Sequence, residues 1–346
     1  MRPFIKSFSM LLVLAFNAIG HAAHAAPAGA EALPALHADA KRTSVSGLSS
    51  GAFMTVQYGV AYSSSVIGLG VVAGGPYNCA FVNFGGIVSC MSGAPSGASS
   101  WLAAQGFASL GQIDPVDGLS KLRVYLFSGS KDGVVHPPVV AAARDFFKAA
   151  GVPAKALAYV HTLPAGHAFI APAFGNECAA NAAPYIDHCP LKGQDGSNYD
   201  QPGAILQHIH GVLSPPAGTL STAVRPFDQR AFAGPGSSMD STGYVYIPKA
   251  CAMDASRCAV HVVFHGCKQG VQSVGQDVVA SVGYNRWADT NRLIVLYPQA
   301  VVSDKLPLNP EGCWDWWGYT GLNFQVRSGV QLSAVKAMVD RLTLAK

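Results

Sequence analysis

Gly47-Leu48-Ser49-Ser50-Gly51 has the GxSxG spacing of a nucleophile elbow, in which small flanking residues let a sharp strand-to-helix turn expose a serine hydroxyl. A serine hydroxyl is a weak nucleophile until a base takes its proton, and the base needs an acid to fix its tautomer. Both follow in the chain. Asp132 stands in Gly129-Ser130-Lys131-Asp132-Gly133-Val134-Val135, just after one apolar run, and His167 stands in Pro164-Ala165-Gly166-His167-Ala168-Phe169, in the loop after the next. Each residue alone has an ordinary reading: a glycine-serine turn, an Asp-Gly turn, a solvated loop histidine. Their shared order Ser, Asp, His and their places after successive strands carry the catalytic reading. Asp114 and Asp117 precede the strand that Asp132 follows and belong at the opposite edge of the sheet. His136 follows Asp132 too closely, and His161 lies within a strand.

Acyl transfer also needs two backbone donors for the oxyanion, one usually from the residue after the nucleophile, here Ser50. The run Val260 to Phe264 leads into His265-Gly266-Cys267, an HG motif like that of esterase oxyanion loops, and the Cys267 amide is the second candidate. Cys267 also reads as a disulfide partner, and the two roles are compatible. This chemistry requires no metal and no organic cofactor.

The elements that must position these residues alternate between short apolar strands and helices, which predicts an α/β fold with a mostly parallel sheet covered on both faces. Strands are expected at Thr43 to Ser46, Val66 to Ala73, Leu122 to Phe127, Ala156 to His161, Tyr244 to Ile247, Val260 to Phe264 and Leu293 to Tyr297. Helices are expected at Ala52 to Tyr62, at Val139 to Ala150 with a glycine stop at Gly151, and around Tyr284 to Asn291. A closing helix is marked by Leu332, Val335, Val339 and Leu342, with Ser328 and Gln331 at capping-box spacing. Residues 175 to 240, rich in Gly, Pro, Asn and Ser, read as long surface loops. With strand, elbow and helix in this order the class is the α/β-hydrolase fold. Its HG loop normally precedes the nucleophile but here follows it, so the order is circularly permuted, which surface termini lying close together permit.

Arg2 and Lys6, the apolar stretch Met10 to Ile19 and Ala23-His24-Ala25 before Ala26-Pro27 read as a secretory signal peptide spanning 1–25. The remainder, 26–346, is expected to form a single catalytic domain, secreted to the periplasm or medium and without a membrane span. Charged residues are 12% of the chain and the net charge is +4, without a basic block, which argues against nucleic acid as a partner. Eight cysteines in an exported chain point to disulfides, and no CxxC pair has zinc spacing. Proximity suggests Cys79-Cys90, Cys178-Cys189 and Cys251-Cys258, leaving Cys267-Cys313, although it does not decide among the many pairings eight cysteines allow.

The stretches GLSSGAFM, FSGSKDGVV, PAGHAF, VFHGCKQG, YNRWADTNRLIVLYPQ and GCWDWWG together resemble the poly(3-hydroxybutyrate) depolymerase family over nearly the whole mature chain. The resemblance is to its single-domain, circularly permuted branch. It implies Ser49, Asp132 and His167 as the triad, the Ser50 and Cys267 amides as oxyanion donors, and a Cys267-Cys313 bridge. Such a bridge would hold Trp314, Trp316 and Trp317 near the oxyanion loop. The resemblance favours Trp317, with Trp316 beside it, as substrate-binding residues, whereas Trp314 reads equally as core filling. Many extracellular members carry a separate polyester-adsorbing module after a linker, and none is recognised here. The expected substrate is therefore amorphous polymer or a soluble hydroxyalkanoate oligomer. The same framework would also serve a feruloyl or acetyl esterase, or a catalytically silent protein that holds a ligand with its tryptophans.

Overall fold

The computed structural model describes residues 30–191 and 196–345; the expected signal peptide lies outside them. The strands in chain order are β1 (Thr43–Leu48), β2 (Val66–Val72), β3 (Arg123–Phe127), β4 (Leu157–Val160), β5 (Phe169–Ile170), β6 (Asn176–Glu177), β7 (Ile186–His188), β8 (Arg225–Asp228), β9 (Thr242–Tyr246), β10 (Ala259–Phe264) and β11 (Leu293–Tyr297). Eight of them form one sheet in the order β4-β3-β2-β1-β10-β11-β9-β8, and β5-β7-β6 form a small second sheet. From β4 to β11 all neighbours run parallel; β9 and β8 are antiparallel additions at one edge.

The central strands are apolar on both faces because both are covered. Alternation along β2 shows this directly. A Cβ on Gly68 or Gly70 would meet Ile209 or Ile205 of the helix Gln201–His210, whereas Leu69 between them lies against Gly59 of the helix Ser50–Ala61. A cluster of polar residues inside the sheet is paired: His261 on β10 bonds the Ser44 hydroxyl through Nδ1 at 2.7 Å and the Ser46 hydroxyl through Nε2 at 2.9 Å. Burial, with His210 nearby, holds His261 well below the usual histidine range, so it sits there as a neutral core group.

The chain marches from β1 through β2 and β3 to β4 in one direction, then completes the other half through β10 and β11. The order therefore reverses between β1 and β10. A crevice opens at the carboxyl ends of strands at such a switch point, and both Ser49 and the His265-Gly266-Cys267 loop stand there. Two glycines let the strands close around the elbow. A Cβ on Gly51 would lie 2.4 Å from the carbonyl oxygens of Phe264 and His265, and one on Gly47 would lie 2.3 Å from the Gly51 carbonyl oxygen. Gly51→Ala is accordingly expected to destabilise the protein by about 3 kcal/mol, at the upper end of overpacking effects. A thermal unfolding midpoint equal to the parent's would show this packing to be slack.

The segment before β1 is seated on the end of the last helix, Val330–Thr343. Leu36 and Ala38 donate N–H groups to the Leu342 carbonyl at 3.3 and 3.1 Å, and His37 donates to that of Leu344 at 2.8 Å. The four disulfides are Cys79–Cys90, Cys178–Cys189, Cys251–Cys258 and Cys267–Cys313, the pairing that proximity suggests. No helix among the described residues is long and apolar enough to cross a membrane.

Two expectations are corrected. Residues 175 to 240 are not all loop: they contain the helix Gln201–His210 and strands β6, β7 and β8. The helix is started by Asp200, whose side chain accepts the Gly203 N–H at 2.9 Å, and it buries Ile205, Leu206 and Ile209. A stripe that short is diluted by the surrounding Gly and Pro. Strand β8 contains Pro226, which a sheet tolerates at its edge. The capping box also does not form. Gly329 precedes the last helix without a side-chain cap, and Gln331 turns inward, accepting from the Asp315 N–H and donating to the Ser237 carbonyl, both at 2.8 Å. The remaining elements are present with ends displaced by at most two residues, and Leu293–Tyr297 has the expected bounds.

Candidate active site

Ser49 stands between β1 and the helix Ser50–Ala61 with φ 58° and ψ −123°, a left-handed backbone that a side-chain-bearing residue adopts only at a cost. Its N–H is bonded to the Val72 carbonyl at 3.0 Å and its own carbonyl accepts from Ala52 and Phe53, so the strained turn is clamped on both sides. Asp132 lies in the turn after β3. Its Oδ1 accepts the N–H groups of Val134 and Val135, both at 2.9 Å, and its Oδ2 stands 2.9 Å from Nδ1 of His167. Both residues are buried. A carboxylate oxygen at that distance makes Nδ1 the protonated nitrogen, which leaves Nε2 able to accept.

Asn181, unremarked in the sequence, fastens these two turns together. Its Oδ1 accepts from the backbone N–H of His167 at 2.9 Å and of Gly133 at 3.0 Å, while its Nδ2 donates to the Lys131 carbonyl at 3.1 Å. The rival residues lie elsewhere. Asp114 takes the Arg327 guanidinium at 3.0 Å, and Asp117 opens the turn leading to β3. His136 precedes the helix Pro137–Ala149, and His161 is exposed beyond β4 with its ring against Tyr159.

Ser49 and His167 open on a cavity of about 400 Å³, together with Ser50, Cys267, Trp316 and Trp317. Asp132 sits behind His167, away from it. Phe53, Ile87, Met91 and Val134 make its walls largely apolar. Trp316 stacks on Phe53 at 4.3 Å, and Trp317, half-buried, stands across it at 5.3 Å. Trp314 is fully buried against Phe264 and His265 and is core. At the rim the exposed side chains of Lys268 and Glu311 pair at 2.8 Å.

The His265-Gly266-Cys267 loop is held from inside. The Ala300 N–H donates to His265 Nε2 at 3.1 Å, so Nδ1 carries the proton and donates to the Gly266 carbonyl at 2.7 Å. Burial lowers this histidine to about 4, which keeps it neutral and in that tautomer at ordinary pH. Disulfide Cys267–Cys313 joins the loop to the tryptophan segment. That segment is wound around Asp315, which sequence reading also passed over. Oδ1 accepts from the N–H groups of Trp317, Gly318 and Tyr319, and Oδ2 from the N–H and hydroxyl of Thr320. Burial pushes the Asp315 carboxyl up, against the pull of these donors.

A serine hydroxyl and an imidazole with a fixed tautomer thus share one apolar cavity with two amide-bearing loops, an arrangement able to support acyl transfer. Among the described residues no group of three or more His, Cys, Asp or Glu is gathered as for a metal ion.

No family model matches the chain. It is 43% identical over 324 residues to a poly(3-hydroxybutyrate) depolymerase of Delftia acidovorans, covering 90% of this chain and 61% of that one. It is 39% identical over 336 residues to a polyhydroxybutyrate depolymerase of Talaromyces funiculosus, covering 92% and 94%. Among solved structures it is similar to a PHB depolymerase from Penicillium funiculosum, with a TM-score of 0.82 and 38% identity over 90% of this chain and 98% of that one. A serine-to-alanine PHB depolymerase complexed with R3HB trimer matches with the same TM-score and coverage at 37% identity.

Proposed function

The chain belongs to the poly(3-hydroxybutyrate) depolymerase family, and from that membership we propose that it is a secreted serine esterase hydrolysing poly(3-hydroxybutyrate) or its oligomers. The observation that carries this reading is the cavity shared by Ser49 and His167, with Asp132 on the far side of the imidazole. His167 Nε2 takes the Ser49 proton as Oγ bonds to the ester carbonyl carbon, and the oxyanion lies toward the amides of Ser50 and Cys267. Collapse breaks the ester C–O bond, and the leaving alkoxide takes that proton from His167. Water then attacks the acyl-enzyme by the same route and releases the hydroxyacid, with no metal or cofactor in any step.

Several features support the finer parts of the proposal. The HG loop follows the nucleophile in sequence but lies beside it at the switch point, and the segment before β1 is bonded to the last helix, as a circularly permuted hydrolase requires. Residues 26–346 act as a single catalytic domain, for which one eight-stranded sheet serves both loops of the site. Four disulfides and the apolar leader in 1–25 suit an exported protein. Trp316 and Trp317 form the apolar wall against which the methyl-bearing repeat of a hydroxybutyrate chain packs. A net charge of +4 without a basic block argues against nucleic acid as a partner.

Mass-spectrometric analysis of products after incubation with amorphous poly(3-hydroxybutyrate), and separately with its soluble trimer, tests the reading. Release of hydroxybutyrate monomer or dimer from polymer is expected, and cleavage of trimer alone would reassign the protein as an oligomer hydrolase. Cleavage of neither, with turnover of feruloyl or acetylated xylan esters, would replace the substrate class.

A further inference from the structure

We infer that Gln269 is a positioning residue that aims the Cys267 amide at the reacting carbonyl, an inference that rests on the serine esterase reading above. Gln269 lies two residues beyond Cys267, is 1% exposed, and touches neither Ser49 nor His167 by any hydrogen bond. Its Oε1 accepts the Gly266 N–H at 2.7 Å, and its Nε2 donates to the carbonyls of Pro184 and Tyr185, both at 2.9 Å. Two carbonyls on one side and an N–H on the other force this amide orientation, because the flipped side chain would set like against like at all three contacts.

The consequence for the loop follows from peptide geometry. The peptide before Gly266 is fixed by its N–H on Gln269, and the peptide after it by its carbonyl on His265 Nδ1. In a trans peptide the N–H points opposite to the C=O. The Cys267 N–H is therefore directed away from the buried His265 ring, on a residue that lines the cavity, while the Gly266 N–H is already spent. The other ends of the Gln269 contacts lie on the side of the base. Tyr185 borders the same cavity with its ring 6.2 Å from that of His167, and its carbonyl also accepts the N–H of Phe169, two residues beyond His167. One buried amide thus spans the oxyanion loop and the wall beside the base, and fixes the distance between them.

The test uses the full mature protein and two variants, Gln269→Met and Gln269→Glu, assayed on soluble hydroxybutyrate trimer and on p-nitrophenyl butyrate. Gln269→Met keeps the length and removes all three hydrogen bonds. Its kcat is expected to fall by about 10- to 100-fold with KM within about 2-fold, below the full loss of an oxyanion donor. Gln269→Glu accepts from Gly266 but faces two carbonyls, to one of which it donates once protonated. Its kcat relative to the parent's is expected to rise as pH falls. That ratio is read within folded protein, so it stands even where Gln269→Met folds poorly. A pH-independent ratio, or a folded Gln269→Met with the parent's kcat, would overturn the positioning role alone. A parent that cleaves neither ester would overturn the esterase reading and this inference with it.

Discussion

Ser49→Ala is expected to leave a folded protein with the parent's thermal midpoint and to lower turnover of hydroxybutyrate trimer by about 10⁴-fold or more, as loss of a serine nucleophile does when only binding and oxyanion contacts remain. Only the Oγ is removed. The backbone conformation at φ 58° is held by the Val72 carbonyl and by Ala52 and Phe53, none of which depends on the hydroxyl. Alanine therefore inherits the strain without relieving it. Kinetics on the purified variant, with unfolding followed in parallel, would exclude a covalent serine mechanism if more than about a hundredth of the parent's kcat survived.

Asp132→Asn is expected to cost about 10⁴-fold in kcat at neutral pH by placing the proton on the wrong nitrogen of His167. The Asp132 carboxylate divides its oxygens between two backbone N–H groups on Oδ1 and His167 Nδ1 on Oδ2. An asparagine that keeps its oxygen on the Val134 and Val135 amides presents an NH₂ to Nδ1. Nδ1 must then accept, Nε2 carries the proton, and the Ser49 proton has nowhere to go. The packing changes little, so the thermal midpoint should move far less than the rate. A loss under about 10-fold would remove Asp132 from the mechanism.

What the sequence made legible in this site is what short-range geometry dictates. An elbow needs small residues two positions either side of its serine, and Gly47 and Gly51 are those residues because β10 passes within contact of both. Asp132 and His167 could be picked out because each follows a strand whose apolar run is easily seen. Asn181, Gln269 and Asp315 could not. Each is an ordinary polar residue in a loop, and each matters through backbone groups that only the folded chain brings to it, such as Lys131 for Asn181 and Pro184 for Gln269. The helix Gln201–His210 is hidden for a related reason: its aliphatic stripe is only Ile205, Leu206 and Ile209 and completes itself against Gly68 and Gly70 of a distant strand. Gln331 shows the reverse error. Its spacing from Ser328 suits a cap, but a buried backbone N–H at Asp315 has the stronger claim on its oxygen.

The place of β1 at the middle of the sheet has a consequence for how the molecule comes into being. A chain emerging from its amino end presents the elbow strand early, yet one flank of that strand is β10, and the Ser44 to His261 bond joins residues 217 apart. Until β10 is made, the middle of the sheet has an open edge and a serine turn with nothing to press Gly51 against. Pairings this remote are slow to find and leave sticky intermediates in the meantime. The site thus assembles late and all at once, so fragments ending before β10 should be inert and prone to aggregate. Passage across a membrane in an extended state, with folding and disulfide closure postponed to the far side, would let both flanks of β1 meet it together.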